Sequence, residues 1–162
     1  MFFKSNSRYV LVACLLLCLE VCFAQDRKVA DSLKLIYEEG NITGVDKLEL
    51  LRNLSFNTAN DIEESLKYAH ELIELSRERE DYIYLYRGYS IRGQVYQRSG
   101  NLTMALESYI KASEAASQIE DKSFEGGAYL TIADVYSKIG NATNAETYYS
   151  KSIDILKKTN DS

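Results

Sequence analysis

The chain has 162 residues, of which 46% are hydrophobic and 27% are charged, and its formal net charge is −5 at pH 7. This length suits one domain, and the composition is that of an ordinary globular or helical chain. The acidic balance leaves no excess of Lys and Arg to neutralise phosphates, so we expect no nucleic-acid partner. The sequence contains no proline, which agrees with nearly continuous helix, since one proline inside a helix costs about 3 kcal/mol.

Residues 1–24 have the pattern of a signal peptide. Basic residues precede an apolar run, and Cys22 and Ala24 place small residues at the two positions that determine cleavage. We expect cleavage before Gln25, and therefore export to a periplasmic or other extracytoplasmic location. Two alternatives stay open: an uncleaved membrane anchor, for which the run is short and interrupted by Glu20, and a lipoprotein, for which no cysteine has both the required neighbours and the required position.

The sequence contains no complete catalytic motif. The cysteines all lie in the predicted signal peptide: Cys14, Cys18 and Cys22. The mature chain would therefore have no disulfide, thiolate metal site or cysteine nucleophile. His70 begins a zinc-protease-like helix pattern without its second histidine. Ser108 and Lys111 have the S-x-x-K spacing of acyl-transfer enzymes without the accompanying motifs. We predict no enzyme activity, cofactor or metal, and keep acyl transfer at Ser108 as a separate hypothesis.

The region after the signal peptide begins with one helical pattern. Apolar residues recur at helical spacing until Gly40 and Asn41 interrupt them. This predicts an N-terminal capping helix within residues 25–44, followed by a repeat domain over residues 45–162. The units of that domain are expected at residues 45–81, 82–121 and 122–160.

The repeat domain is defined by a period of forty residues. Residues 89–112 recur as residues 129–152 with nine identical positions, and a fainter copy includes Asn53, Phe56 and Ser65. Internal repetition at this period predicts a protein built from stacked supersecondary units.

Small and large residues are ordered within each unit. Gly93 and Tyr96 lie three apart, and Ala105 and Tyr109 lie four apart, so each pair occupies one helical face. Between the pairs, Gly100-Asn101 predicts a left-handed helix end followed by a capped second helix. The result is a helix hairpin, in which the small residues let the backbones approach and the tyrosines fill the space beside them.

This order of residues resembles the tetratricopeptide repeat. The resemblance implies an all-α fold, a right-handed TPR-like α-solenoid of helix hairpins with about three repeats plus an N-terminal helix. The period of forty exceeds the family's usual length of about 34 residues, and the closing proline is missing; longer units of this sort are similar to those of bacterial regulatory proteins and extracytoplasmic sensor modules. The structural repeat core is expected at Tyr89, Gly93, Tyr96, Gly100, Ala105, Tyr109, Ala112, Tyr129, Ala133, Tyr136, Gly140, Ala145 and Tyr149.

The resemblance also implies a ligand groove, because the first helices of successive units line a concave surface in this family. The corresponding positions are Leu50, Leu54, Asn57 and Thr58 in unit one, Ser90, Gln94, Gln97 and Arg98 in unit two, and Leu130, Asp134, Ser137 and Lys138 in unit three. Chaperone-binding members clamp a C-terminal carboxylate with Lys and Asn. Because Leu50 and Leu54 stand where that clamp needs these residues, we exclude that ligand.

The predicted function is binding of a protein or peptide by an exported scaffold or sensing module. The alternative is the N-terminal periplasmic input region of a longer signal-transducing protein, such as a sensor histidine kinase or transcriptional regulator. A membrane is expected as a partner only if the N-terminal segment is uncleaved or a longer chain follows.

Two further questions stay open from the sequence. Tyr82, Tyr84 and Tyr86 suit either packing or a contact surface equally well. The apolar residues of the last helix indicate either that more chain follows or that this face meets a partner.

Overall fold

A computed structural model describes residues 28–58 and 60–160. The chain divides into two compact parts, Met1–Ile42 and Thr43–Ser162. In the first part, residues 28–39 form helix α1, which ends at Gly40 in the left-handed conformation with φ at 68°. The predicted N-terminal helix is present, whereas its capping role stays a prediction and the signal segment lies outside the described residues.

The second part is a series of six helices. They are α2 (Gly44–Asn57), α3 (Ile62–Glu78), α4 (Tyr82–Arg98), α5 (Leu102–Ala116), α6 (Ser123–Ile139) and α7 (Ala142–Asn160). Each helix packs on the next one in the chain, and α2 also packs on α4. Neighbour-to-neighbour packing of this kind makes a stack of three hairpins. The described residues contain no strand, and the predicted all-α helical repeat fold is confirmed.

The turns inside units two and three follow the predicted chemistry. Gly100 has φ at 80°, and the Asn101 backbone N–H donates to the carbonyl of Tyr96 at 2.9 Å. The Asn101 side chain then caps α5 by accepting from the backbone N–H of Met104 at 3.1 Å. Gly140, at φ 84°, repeats this geometry forty residues later. A glycine is favoured at both places because left-handed backbone costs other residues about 1–2 kcal/mol.

The turn between units two and three is longer than the turns inside the units. Helix α5 ends at Ala116, and α6 begins at Ser123. The backbone N–H groups of Gln118 and Ile119 bond to carbonyls three residues back, both at 3.1 Å, so the last turn tightens as helix ends often do. Ile119 is thereby buried, with 7% of its surface exposed.

The hairpin of unit two is closed by the ring of Tyr109 against the backbone at Gly93. A Cβ atom at position 93 would lie 2.6 Å from Tyr109 Cε1, so only glycine fits without displacement of the ring. Tyr109 and Ala105 are buried. In unit three Ala133 replaces the glycine and is itself buried, while the corresponding Tyr149 is only half-buried. The predicted contact of small against large residues is therefore tightest in unit two.

The remaining positions of the predicted repeat core lie in or against two buried clusters. Tyr89 and Ala112 are buried together with Ile73. The other cluster joins Ala105, Tyr109, Ile132 and Val135, and half-buried Tyr96, Tyr129 and Tyr136 pack against it. Ala145 is also buried. Most tyrosines of the repeat are therefore half-buried at the edge of the core, and fewer are fully buried inside it.

Unit one departs from the predicted alignment. Phe56 was aligned with Tyr96 and Tyr136, but 61% of its surface is exposed. Leu54 takes the buried place instead, with no exposed surface, because α2 has an apolar residue where the other units have polar Gln94 and Asp134. The hairpin is joined by Ser65, whose hydroxyl donates to the carbonyl of Ser55 at 2.6 Å.

The outer face of α7 is more polar than that of α5. On α5, Leu102, Leu106 and Ile110 pack against the cluster shared with α6. Their counterparts forty residues later are exposed: Ala142, Glu146 and Ser150. Of the apolar residues of α7, Tyr148 packs against the same cluster, Leu156 packs against Gly126, and Ile153 is 51% exposed.

Substitution of Gly93 by alanine tests the closure of the unit-two hairpin. The added methyl group must displace the Tyr109 ring, so we expect destabilisation by about 1–3 kcal/mol in urea unfolding. Gly127→Ala is the matched control, because a Cβ atom there would have no neighbour within 4 Å. Alanine is the better helix former, so the control should be neutral or stabilising by up to about 1 kcal/mol. Equal effects of the two variants would contradict the observed contact.

Candidate interaction surface

The predicted groove positions of units two and three lie at the surface of α4 and α6. Ser90 and Gln97 are half-buried, and the exposed positions are Gln94, Arg98, Leu130, Asp134, Ser137 and Lys138. Leu130 is the apolar member of the set, with 44% of its surface exposed. We call this set the groove face. It offers polar contacts with a single aliphatic side chain among them.

Unit one contributes much less to the groove face than the sequence indicated. Leu50 and Leu54 are 6% and 0% exposed, and Thr58 is also buried. Side chains with so little exposed surface offer a ligand almost no contact in this conformation, so these residues belong to the core rather than to a groove. Asn57 is half-buried, and its amide donates to the backbone carbonyl of Asn53 at 2.7 Å.

Tyrosines from the second helices of units two and three each bond to one groove-face side chain. The hydroxyl of Tyr109 donates to Gln97 Oε1 at 3.0 Å, and the hydroxyl of Tyr149 donates to Asp134 Oδ1 at 2.7 Å. Burial raises the pKa of Tyr109 to about 12, and the hydrogen bond to Asp134 raises the pKa of Tyr149. Both hydroxyls therefore stay protonated donors near neutral pH. The sequence predicted all four residues, but not that they form pairs.

Two cations of the groove face have no carboxylate partner among the described residues. Arg98 lies in the last turn of α4 and Lys138 in the last turn of α6, at equivalent places in successive units. Helix C-termini favour cations, which accounts for a basic residue at each place. Because neither cation has a carboxylate partner, both charges remain available to an acidic group on a ligand.

A polar network joins the first helices of units one and two. Glu49 accepts from Arg52 Nε at 3.0 Å and from the hydroxyl of Tyr84 at 3.0 Å. Arg87 lies with its Nη1 atom 3.9 Å from Glu49 and its guanidinium 5.0 Å from the centre of the Tyr84 ring. The hydrogen bonds from Arg52, followed by that from Tyr84, lower the pKa of Glu49 against the opposing effect of burial. This network could not be predicted from the sequence, because Tyr84 lies 35 residues from Glu49 and on a different helix.

The three crowded tyrosines divide between the two roles that the sequence left open. Tyr84 is half-buried in the network with Glu49. Tyr86 packs edge-to-face on Phe124 with ring centres 5.3 Å apart. Tyr82 is 38% exposed, so it alone of the three is available as contact surface.

The residues considered for catalysis do not assemble a reaction centre. Ser108 is 1% exposed, and its hydroxyl donates to the carbonyl of Met104 at 2.8 Å and accepts from Arg92 Nε at 3.0 Å. Lys111 lies 3.6 Å from Glu114 in an ion pair. The Ser108 hydroxyl is therefore held by two structural hydrogen bonds and is buried away from substrate. This geometry does not support acyl transfer at Ser108.

Comparison with known proteins identifies the repeat. Residues 84–158 match the family model of the tetratricopeptide repeat. Comparison with curated protein sequences gave no significant match. Among solved structures, the chain is similar to BtubC (BKLC) from P. vanneervenii, with a TM-score of 0.73 at 15% identity over 85% of this chain and 59% of that one. The chain therefore spans less than two thirds of the length of BtubC.

Two other solved structures share the fold. The TPR domain of Arabidopsis FLU has a TM-score of 0.59 at 19% identity, over 70% of this chain and 97% of that one. A Rap protein complexed with competence and sporulation factor has a TM-score of 0.67 at 20% identity, over 88% of this chain and 42% of that one. At these identities the likeness establishes the fold alone.

The Glu49 network predicts a specific dependence of stability on pH. Because the pKa of Glu49 is lower in the folded chain, its contribution is complete above the unfolded value of about 4.3 and is lost as pH falls through the folded value. We expect the unfolding free energy of the wild type to exceed that of Glu49→Gln by up to about 1 kcal/mol at pH 7, a surface-network magnitude, and by clearly less near pH 3. Urea unfolding at both pH values measures the difference. Glu107→Gln, at an exposed carboxylate of α5, is the control. A gap between wild type and Glu49→Gln that is the same at both pH values would contradict the network.

Proposed function

We propose that the chain is an exported module that binds a protein or peptide through the groove face of units two and three. The premise is the match of residues 84–158 to the tetratricopeptide repeat, a repeat that serves as a protein-interaction scaffold. The observation that carries the proposal is the pairing of groove-face Gln97 and Asp134 with Tyr109 and Tyr149. Side chains held in this way lose less rotamer freedom on binding, which favours recognition.

The chemistry of the groove face indicates what kind of ligand it suits. Arg98 and Lys138 are exposed and unpaired with carboxylates in the described chain, and Leu130 supplies exposed aliphatic surface. A peptide with an acidic group and at least one apolar side chain complements this set, because opposite charges steer association and the apolar contact adds buried area. The Rap protein, a solved structure of similar fold complexed with a factor, supports a ligand-binding role for stacked hairpins of this type.

Export of the chain is the second element of the proposal. It is supported by the signal-peptide pattern of residues 1–24 and by the confinement of all three cysteines to that segment. Among the described residues, no helix has the length and apolar character needed to cross a bilayer.

A second candidate function is the input region of a longer signal-transducing protein. It is supported by the forty-residue repeat, a longer unit similar to those of bacterial regulatory proteins and extracytoplasmic sensor modules. A downstream apolar segment of about 20 residues in the same gene would support this candidate.

Charge reversal on the groove face tests the binding proposal. We expect Gln94→Glu with Arg98→Glu to reduce capture of the partner from the source organism's envelope fraction by about tenfold or more, as loss of a charged contact predicts. Quantitative mass spectrometry of pull-downs measures capture, and circular dichroism should show unchanged helicity. Thr103→Glu with Lys157→Glu, an equal change in net charge at exposed positions of α5 and α7 outside the groove face, is the control. Capture that is unaffected by the double change would place the binding site elsewhere.

The N-terminus of the protein in its source cells tests export. We expect the mature chain to begin at Gln25 and to occur in the envelope or periplasmic fraction, because cleavage follows the small residue Ala24. N-terminal sequencing of the chain from each cell fraction makes the measurement. A chain that retains residues 1–24 in the cytoplasmic fraction would contradict this part of the proposal.

A further inference from the structure

A cleft outside the groove face lies between the first turns of α4 and α6. Its volume is about 790 Å³, within the range of about 300–1,000 Å³ that is usual for ligand pockets. The two chain segments that frame it are equivalent parts of successive units, residues 79–83 and residues 118–124. The repeat itself therefore builds the cleft, which lies at the turns that connect one hairpin to the next.

Four of the ten residues that line the cleft are aliphatic or aromatic. Ile119 is buried and Phe124 is half-buried, and Phe124 is fixed by its edge-to-face contact with Tyr86. Tyr82 and Ile83 keep 38% and 40% of their surface exposed at the first turn of α4. Exposed aromatic and aliphatic side chains over an ordered apolar base are typical of a surface that receives a side chain from a partner.

The charge that lines the cleft is predominantly negative. Four carboxylates, those of Glu80, Asp81, Glu120 and Asp121, accompany one cation, Arg79. Asp81 accepts from the backbone N–H of Tyr84 at 3.1 Å, and Asp121 accepts from that of Ser123 at 2.9 Å. The carboxylates of the two glutamates belong to no ion pair or hydrogen bond in the described part of the chain. Both charges are therefore unpaired beside the exposed apolar surface.

We propose that this cleft is a second docking site, for a partner segment that carries an arginine or lysine next to an apolar side chain. The apolar side chain packs on Ile83 and Phe124, and the cation meets the carboxylates of Glu80 and Glu120. Charge complementarity selects this occupant over an acidic one, because a carboxylate placed there would be repelled by four others. The site differs in sign from the groove face, whose unpaired charges are basic, so the two surfaces take chemically different segments.

Titration of the full chain with blocked dipeptides tests the docking site. Acetyl-Phe-Arg-amide is the matching probe and acetyl-Phe-Glu-amide is its acidic counterpart. We expect saturable amide shifts at residues 79–83 and 118–124 in NMR spectra below about 10 mM of the arginine probe, since a two-residue ligand binds in the millimolar range. The glutamate probe should bind at least about fivefold more weakly, because like charges oppose it.

Replacement of Glu80 and Glu120 by glutamine removes two charges and keeps the shape of the side chains, so it tests the role of charge separately from that of shape. Glu80→Gln with Glu120→Gln should weaken the arginine probe about fivefold or more, whereas Glu107→Gln with Glu146→Gln, an equal charge change at exposed positions of α5 and α7, should leave its affinity unchanged. The groove-face variant should also leave it unchanged, so failure of the groove proposal is distinguishable from failure here. The docking site is overturned if the arginine probe gives no saturable shift at the cleft, if both probes bind equally, or if the glutamine variant binds like the wild type.

Discussion

The contact on which the rest of this structure depends is that of the Tyr109 ring with the backbone at Gly93. It sets how closely α4 approaches α5, because the ring occupies the space that any side chain at position 93 would need. Close-packed interiors transmit such a restriction to their neighbours. The next hairpin packs on this one through the cluster of Ala105, Tyr109, Ile132 and Val135. Packing between the two hairpins therefore depends on a contact made inside a single unit.

The same tyrosine couples the core to the groove face. Its ring is buried in the hairpin while its hydroxyl bonds to Gln97, and Tyr149 does the same for Asp134 in unit three. A tyrosine combines apolar area with a polar end, so one residue can close a hairpin and order a surface side chain together. In units two and three the packing of the hairpin and the order of one groove-face side chain thus depend on the same tyrosine.

Much of this fold was predictable because the information is local. The glycine turns, the asparagine cap of α5 and the spacing of small and large residues fixed the hairpins of units two and three to within a few residues. Unit one was harder, since its alignment rested on Phe56, whereas burial of Leu54 decides how α2 is oriented. For that reason Leu50 and Leu54, which were predicted to line the groove, lie in the core instead.

Features between units could not be predicted in the same way. The network of Glu49 with Tyr84 and Arg87 depends on direct packing of α2 on α4, and the cleft depends on how two equivalent turns lie beside each other. A repeat pattern defines what each unit contains, but side-chain contacts across units follow from their relative placement. The sequence therefore predicted the helical repeat, and the structure supplied the side-chain pairs and the cleft.

A double-mutant cycle at Gly93 and Tyr109 tests the central contact most directly. If the ring is what excludes a side chain at position 93, the cost of Gly93→Ala in urea unfolding should largely disappear in a Tyr109→Ala background, with a coupling of about 1–3 kcal/mol between the two sites. Additive effects, with the same cost of the glycine substitution whether or not the ring is present, would contradict the account.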